Sequence, residues 1–281
     1  MMEGKGDISV VLTLYKRPEM LLRQLEAVEN QTIKPKEIFL FQDHISNGIY
    51  TIELEEEIKK RFTAIRICNE NVGVWGRFVY ANEVATCPYV AVFDDDTIPG
   101  KRWFENCMSH MEKKEAIYAT IGVGLQQNAD YPNKGFFRVG WGEPCDEAVE
   151  VDFGCHAWFV KKEYLEPMAE EDCAFRKKYT HVGEDAYLSF SNWKRNGVST
   201  IVPPHVIGQE EFWGSDVKTG LIVGQSSVAV SLNPNNLRSM TEMIRDYKAD
   251  GWETLAFRKK EYFDELVEKM RNVGNNSQIL T

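Results

Sequence analysis

The chain carries no excess of basic charge. Its 33 Lys and Arg stand against 43 Asp and Glu, a net charge of -10 over 281 residues. A general nucleic-acid binder would show a basic footprint, so nucleic acid is not expected as a partner. There is no C-x-x-C pair either: Cys68, Cys87, Cys107, Cys145, Cys155 and Cys173 lie far apart. That pattern speaks against a zinc ribbon or a dithiol redox motif, and for buried free thiols in a reducing compartment. No uninterrupted apolar run approaches the roughly 20 residues of a membrane span. The polar start, Met1 to Asp7, lacks the pattern of a signal peptide. The expectation is a soluble, cytoplasmic protein, with a peripheral membrane contact still compatible with the sequence. Internal repeats, low-complexity tracts and a glycine-rich phosphate loop with Lys or Arg after the first strand are also missing.

What is present is enough apolar material, 43% of residues, for a full core. Ile8 to Leu14 and Tyr89 to Phe93 read as buried strands, with Glu37 to Phe41 and Ala64 to Ile67 as the second and third strands between them. Between them lie amphipathic helical stretches: one opened by Pro18, Thr51 to Phe62, and Trp75 to Ala85. Ser46 to Gly48 reads as a turn. A helix from Lys101 to Lys113 and a fifth strand from Ala116 to Val123 follow. This alternation predicts an α/β fold, a mostly parallel sheet flanked by helices. From Leu125 to Glu150 the pattern lapses into a long loop. Val149 to Val160 reads as a strand, Lys161 to Glu170 as a helix interrupted by Pro167, and Gly183 opens a helix to Arg195. Val198 to Val202 is a short strand, Gly208 to Asn235 is loop-like, and helices over Asn236 to Ala249 and Glu253 to Asn272 form a helical C-terminal tail. The expected division is a nucleotide-binding and catalytic unit over 1–215, with 216–281 an extension packed on it.

In open α/β sheets ligands bind beyond the carboxyl ends of the strands. Those ends carry Thr13, Tyr15 and Arg17, then Asp43, then Asn69 and Asn71, then Asp94, Asp95 and Asp96. Three adjacent carboxylates repel one another and resist burial. At the mouth of a core strand they suit a hard divalent cation, Mg2+ or Mn2+, shared with a substrate's phosphates. An acidic turn in water, and ordinary caps and turns elsewhere, would also use these residues.

The ordered set of Val10 to Pro18, Gln31-Thr32, Glu37 to Asp43, Asn71 to Gly73, Phe93 to Asp96 and Gly183 to Asp185 resembles the GT-A glycosyltransferases, in particular the inverting family 2-like enzymes. The resemblance spans about the first three-quarters of the chain. It implies a Rossmann-like GT-A fold and single-sugar transfer from a nucleotide sugar, a UDP-sugar first, to a hydroxyl of a glycan or lipid-linked glycan in polysaccharide biosynthesis. It places Thr13, Tyr15 and Arg17 beside the base and Asp43 at the uracil edge. Asn71 and Gly73 begin the loop that passes the nucleotide, with Arg77 reaching a phosphate. Its D-x-D motif maps to Asp94, facing ribose and metal, and Asp96, binding the metal, with Asp95 able to replace either. Asp185 corresponds to the general base, with Glu184 beside it, and His205 to an additional metal ligand. His156 and Trp158 lie on a strand that lines the sugar region in relatives. Trp141 and Trp213, in loops, are expected as lids or acceptor contacts. The sequence departs from the family at Gln42 to Ser46, where an Asp-Asp-Gly-Ser pattern is usual. It also lacks the Gln-x-x-Arg-Trp motif of processive membrane synthases. Two other classes stay open. One is a non-catalytic sugar-nucleotide or glycan-binding module. The other is a haloacid-dehalogenase-type phosphatase, whose first motif Phe93-Asp-x-Asp resembles. That motif wants Thr or Val where Ile98 stands, and an earlier place in the chain.

Overall fold

A computed structural model describes residues 7–44, 54–140, 142–224 and 233–272. The first half follows the alternation. Strands β1 (Ile8–Leu14), β2 (Glu37–Gln42), β3 (Ala64–Ile67) and β4 (Tyr89–Phe93) are separated by α1 (Leu21–Glu29), α2 (Glu56–Lys59) and α3 (Gly76–Val84), and α4 (Trp103–Met111) follows β4. Then come β5 (Ala116–Asp130), β6 (Lys134–Gly140), β7 (Val149–Val151) and β8 (Phe153–Lys161). The short α5 (Glu166–Ala169) and α6 (Ala174–Lys178) lead to α7 (Glu184–Asn196) and β9 (Ser199–Val202). Four helices close the described chain: α8 (Val217–Gly224), α9 (Pro234–Ala249), α10 (Leu255–Arg258) and α11 (Lys260–Asn272). Among the described residues, no helix is long and apolar enough to cross a membrane.

The sheet runs β3-β2-β1-β4-β8-β5-β9-β7, with β6 paired to β5. Strands β1 to β4 are mutually parallel, which brings their carboxyl ends to one edge. All seven residues of β1 are buried, as a central strand covered on both faces requires. On one face the core gathers Trp75, Phe78, Trp158, Tyr187 and Tyr247; on the other, Leu21, Leu25, Trp103 and Phe104. Burying aromatic side chains of this size contributes about 1.5–3 kcal/mol each before entropy is counted. Met243, Ile244 and Tyr247 of α9 belong to the first core, so α9 closes it, while Leu255 of α10 and Phe263 of α11 belong to a third cluster.

Several local expectations are corrected. Parallel order holds for β1 to β4, beyond which β8 enters antiparallel between β4 and β5. The expected loop from Leu125 is largely a hairpin. Strand β5 continues to Asp130 and pairs with β6, Leu125 facing Phe136. Its polar tip, Gln126 to Asn128, projects beyond the core and hides the alternation. The strand expected over Val149 to Val160 is broken at Asp152, whose buried carboxylate accepts the N–H groups of Leu125 (2.6 Å) and Leu255 (2.8 Å). The loop expected over Gly208 to Asn235 contains α8. Of the helix expected over Thr51 to Phe62, α2 is the helical part among the described residues. The turn at Ser46 to Gly48 lies outside them.

Candidate active site

At the end of β4 the chain is held rigidly before the three acids leave it. The buried amide of Gln24, on α1, donates to the carbonyls of Asp94 (2.7 Å) and Thr97 (2.8 Å). The Asp94 N–H donates to the His156 carbonyl at 2.8 Å. From this fixed loop the carboxylates diverge. Asp94 meets Arg77 at 2.8 Å, and Asp95 meets Arg17 at 2.5 Å. Asp96 lies 3.7 Å from Arg17 and 3.7 Å from His156 Nδ1. Donor atoms of Asp94, Asp96 and His156 all fall within 4.8 Å of one another. Oxygen donors stand about 2.1 Å from a small divalent ion, so that span suits one cation with modest side-chain adjustment. Two carboxylates and an imidazole fit Mn2+ better than Mg2+.

Arg77 is the bridge of the site. It is buried beside the rings of Phe78 and Trp158. One of its nitrogens reaches both Asp94 and Glu184, the latter at 2.7 Å. The acidic end of β4 is thereby tied to the first turn of α7. The backbone at that turn needs glycine: Gly183 has φ 88°, and a Cβ there would lie 1.7 Å from the sulfur of Met243. Tyr247 of α9 donates its hydroxyl to the Gly183 carbonyl at 3.2 Å. Glu184 is buried under Arg77, whereas Asp185 is only half-buried and is the more accessible acid of this pair. Its Oδ1 accepts the Ala186 N–H at 2.6 Å, and its Oδ2 accepts from the Cys155 thiol at 3.3 Å. A helix N-terminus favours the carboxylate, but burial wins and raises the Asp185 pKa. Burial likewise pushes up the Cys155 thiol.

Burial also pushes the carboxyls of Asp95 and Glu184 up to about 7 and Asp94 to about 6, the arginines pulling back only in part. A carboxyl with a raised folded pKa binds more protons folded than unfolded. Its stabilisation is present at low pH and lost as pH rises through the folded value. His205 acts in the opposite sense: burial lowers its ring to about 4, so it opposes folding below its ordinary value. Between about pH 6.5 and 8 the acids therefore dominate. In that window the metal-free protein is expected to melt at a higher temperature as pH falls, chiefly through Asp95 and Glu184. A metal-free melting temperature that is flat or rises with pH would contradict this.

The other candidate residues are distributed as follows. Asp43 accepts N–H groups from His44 (2.8 Å), Val72 (3.0 Å) and Gly73 (3.2 Å), so it organises the loop after β3. Asn71 donates to the Tyr15 hydroxyl (3.3 Å) and the His44 carbonyl (3.2 Å). Gly73 has φ 75°, and a Cβ there would lie 2.0 Å from the Thr180 carbonyl oxygen. Thr13, Tyr15, Asp43, Asn71 and Gly73 thus gather at one end of the edge, as expected from their strand ends. Arg17 and Arg77 differ from expectation, because both are committed to carboxylates of the β4 loop and α7. His205 is not among the side chains clustered with Asp96. It is buried, with Nδ1 2.7 Å from the Pro203 carbonyl and Nε2 3.4 Å from the Gly214 N–H. Trp158 is a core residue packed edge-on against Phe78. Trp213 is buried against His205 and donates to the Val206 carbonyl, so it is not an open lid. Trp141 lies outside the described residues. Sequence reasoning missed Gln24 and Cys155. Neither carries a local signal, since each acts through a long-range contact.

A sheet with four parallel strand ends, an acidic loop on the fourth and covering helices on both faces is the GT-A glycosyltransferase architecture. Among solved structures, the crystal structure of GalNAc-T7 with UDP, GalNAc and Mn2+ matches at a TM-score of 0.56 and 12% identity. The match covers 93% of this chain and 58% of that one, so the chain spans little more than half the length of that relative. The crystal structure of S. aureus TarS matches at a TM-score of 0.47 and 12% identity, over 85% of this chain and 42% of that one. None of the curated proteins compared matches in sequence. The family model for glycosyl transferase family 2 matches residues 9–169, more than half of the chain, and the protein belongs to that family.

Proposed function

We propose that the protein transfers one sugar from a nucleotide sugar, UDP-linked, to a hydroxyl of a glycan or lipid-linked glycan, with inversion and with a divalent cation. The observation that carries this is the pairing of two functions across Arg77. A three-donor cation site (Asp94, Asp96, His156) stands on one side of it, and the half-buried carboxylate of Asp185 stands in the turn tied to the other. The solved relative with UDP, GalNAc and Mn2+ shares the fold and supports the choice of ligands to test first. When bound, the cation supplies Lewis-acid stabilisation of the leaving diphosphate.

The chain's own residues do the rest. Thr13, Tyr15, Asp43, Asn71 and Gly73 would bind the nucleoside at the ends of β1 to β3. Asp185 would take the proton of the acceptor hydroxyl as its oxygen bonds the anomeric carbon. The bond to the diphosphate then breaks, and its electron pair leaves with the nucleotide. Glu184 and Asp95 serve as buried partners of Arg77 and Arg17 and do not themselves touch substrate. Residues 1–215 would hold these groups, and the extension over 216–281 would back the base through Met243 and Tyr247.

A thermal-shift panel of nucleotide sugars, with and without Mn2+, tests the reading. One UDP-sugar should raise the melting temperature only with the metal present, and should then be hydrolysed or transferred. Binding without turnover would favour a non-catalytic module, and no metal-dependent shift would remove the proposal. The third metal donor is decided by two variants. His156→Ala is expected to weaken Mn2+ binding in the presence of UDP by more than the roughly 10- to 100-fold that loss of an outer partner costs. His205→Ala is expected to leave that affinity near wild type while lowering stability by about 1–3 kcal/mol, through lost buried hydrogen bonds. The reverse result in a manganese titration would return the ligand role to His205.

A further inference from the structure

Strand β8 carries one residue more than the segment of β5 it faces. Ala119 lies opposite Trp158 and Ile121 opposite Cys155. Thr120 is thus met by two residues, His156 and Ala157. His156 has φ 71°, left-handed backbone that non-glycine residues seldom adopt. Its carbonyl is fixed by the Asp94 N–H and by the Thr97 hydroxyl at 3.2 Å. This is a β-bulge, and a bulge changes which side chains share a face. In an unbroken strand, Cys155 and Trp158, three residues apart, would face opposite sides. Here Phe153, Trp158 and Val160 lie in one core and Cys155 packs against it, together with Ala186, Tyr187 and Leu188 of α7. The extra residue therefore turns Cys155 toward α7, where its sulfur meets Asp185 Oδ2 at 3.3 Å.

We propose that Cys155 is a positioning residue for Asp185: the bulge at His156 aims its thiol so that the carboxylate is held from both sides, by Cys155 on Oδ2 and the Ala186 N–H on Oδ1. This rests on the assignment of Asp185 as base. A thiol is a weak donor, so it fixes the plane of the carboxylate while taking little of its charge. Each oxygen retains acceptor capacity for the substrate hydroxyl. A misplacement of a catalytic group by about 1 Å costs on the order of 100-fold in rate, which is the scale on which such a hold matters.

The test separates donor from bulk. Cys155→Val loses the donor and stays apolar at about one methyl group more volume; Cys155→Ser keeps a donor at lower volume. With the UDP-sugar that the panel identifies, kcat of the valine variant is expected to fall about 10- to 100-fold, with donor KM and melting temperature near wild type. The serine variant should restore most of that loss. A packing role predicts the opposite order, and valine turnover equal to wild type overturns the proposal. The S–H infrared stretching band gives a readout without substrate. The band absent from Cys155→Ser should move to the position of a non-bonded thiol in Asp185→Ala, and an unmoved band overturns the contact. If Asp185→Asn turns over normally, the base assignment fails. If Asp185→Asn is inactive and the valine variant is unaffected, only the positioning role fails.

Discussion

Asp185→Asn is expected to leave Mn2+-dependent binding of the nucleotide sugar unchanged and to lower kcat by about 10²- to 10⁴-fold, the range that a positioned general base supplies. The substitution is nearly isosteric, and the amide oxygen can still accept the Ala186 N–H, so the first turn of α7 should survive. What is lost is the ability to take a proton. Glu184 cannot substitute, because it is buried and bound to Arg77 at 2.7 Å. Burial raises the Asp185 pKa against the pull of the helix N-terminus, which makes this carboxylate a stronger base than a solvated one. Near-normal kcat in the variant, measured at saturating donor and acceptor, would remove Asp185 from the chemistry.

Asp96→Ala is expected to abolish the metal-dependent part of nucleotide affinity. The loss should exceed the roughly 10- to 100-fold that removal of an outer partner costs. The variant should fold. Asp96 is only 3.7 Å from Arg17, which keeps its closer partner Asp95 at 2.5 Å, so no buried cation is left without a counter-charge. Asp95→Ala is a poorer probe for that reason: it would strand Arg17, and breaking a buried pair costs about 3–5 kcal/mol. Calorimetric titration of UDP in Mn2+ and in EDTA reads the Asp96 effect directly. An Asp96→Ala protein that binds UDP in Mn2+ as wild type does would show that Asp96 is no ligand.

The parallel half of the fold was legible because β1, β2 and β4 are apolar runs buried on both faces, and such runs have few alternative placements. The strand ends were legible for the same reason: parallel order brings Asp43, Asn71 and Asp94 to one edge whatever the helices do. The insertion of β8 between β4 and β5 was not, because strand order beyond the alternating units is set by contacts distant in sequence. The β5–β6 hairpin was hidden by its polar tip, which needs no apolar alternation because it projects past the core. At the site, the acids were visible and their partners were not. Arg17 and Arg77 look from the sequence like nucleotide contacts, yet each is held by carboxylates 78 and 107 residues away along the chain. His156 was visible as a sugar-region residue, but its place beside Asp96 depends on a bulge whose left-handed residue is His156 itself and not a glycine.

The central proposal is that Asp94, Asp96 and His156 would hold one divalent cation, which would supply Lewis-acid stabilisation to a nucleotide diphosphate. Crystals grown with UDP and Mn2+ and measured at the manganese absorption edge test it most directly. A single anomalous peak within coordination distance of Asp96 and His156, shared with the diphosphate oxygens, is the predicted result. A well-ordered UDP with manganese bound elsewhere, or with none, would contradict it.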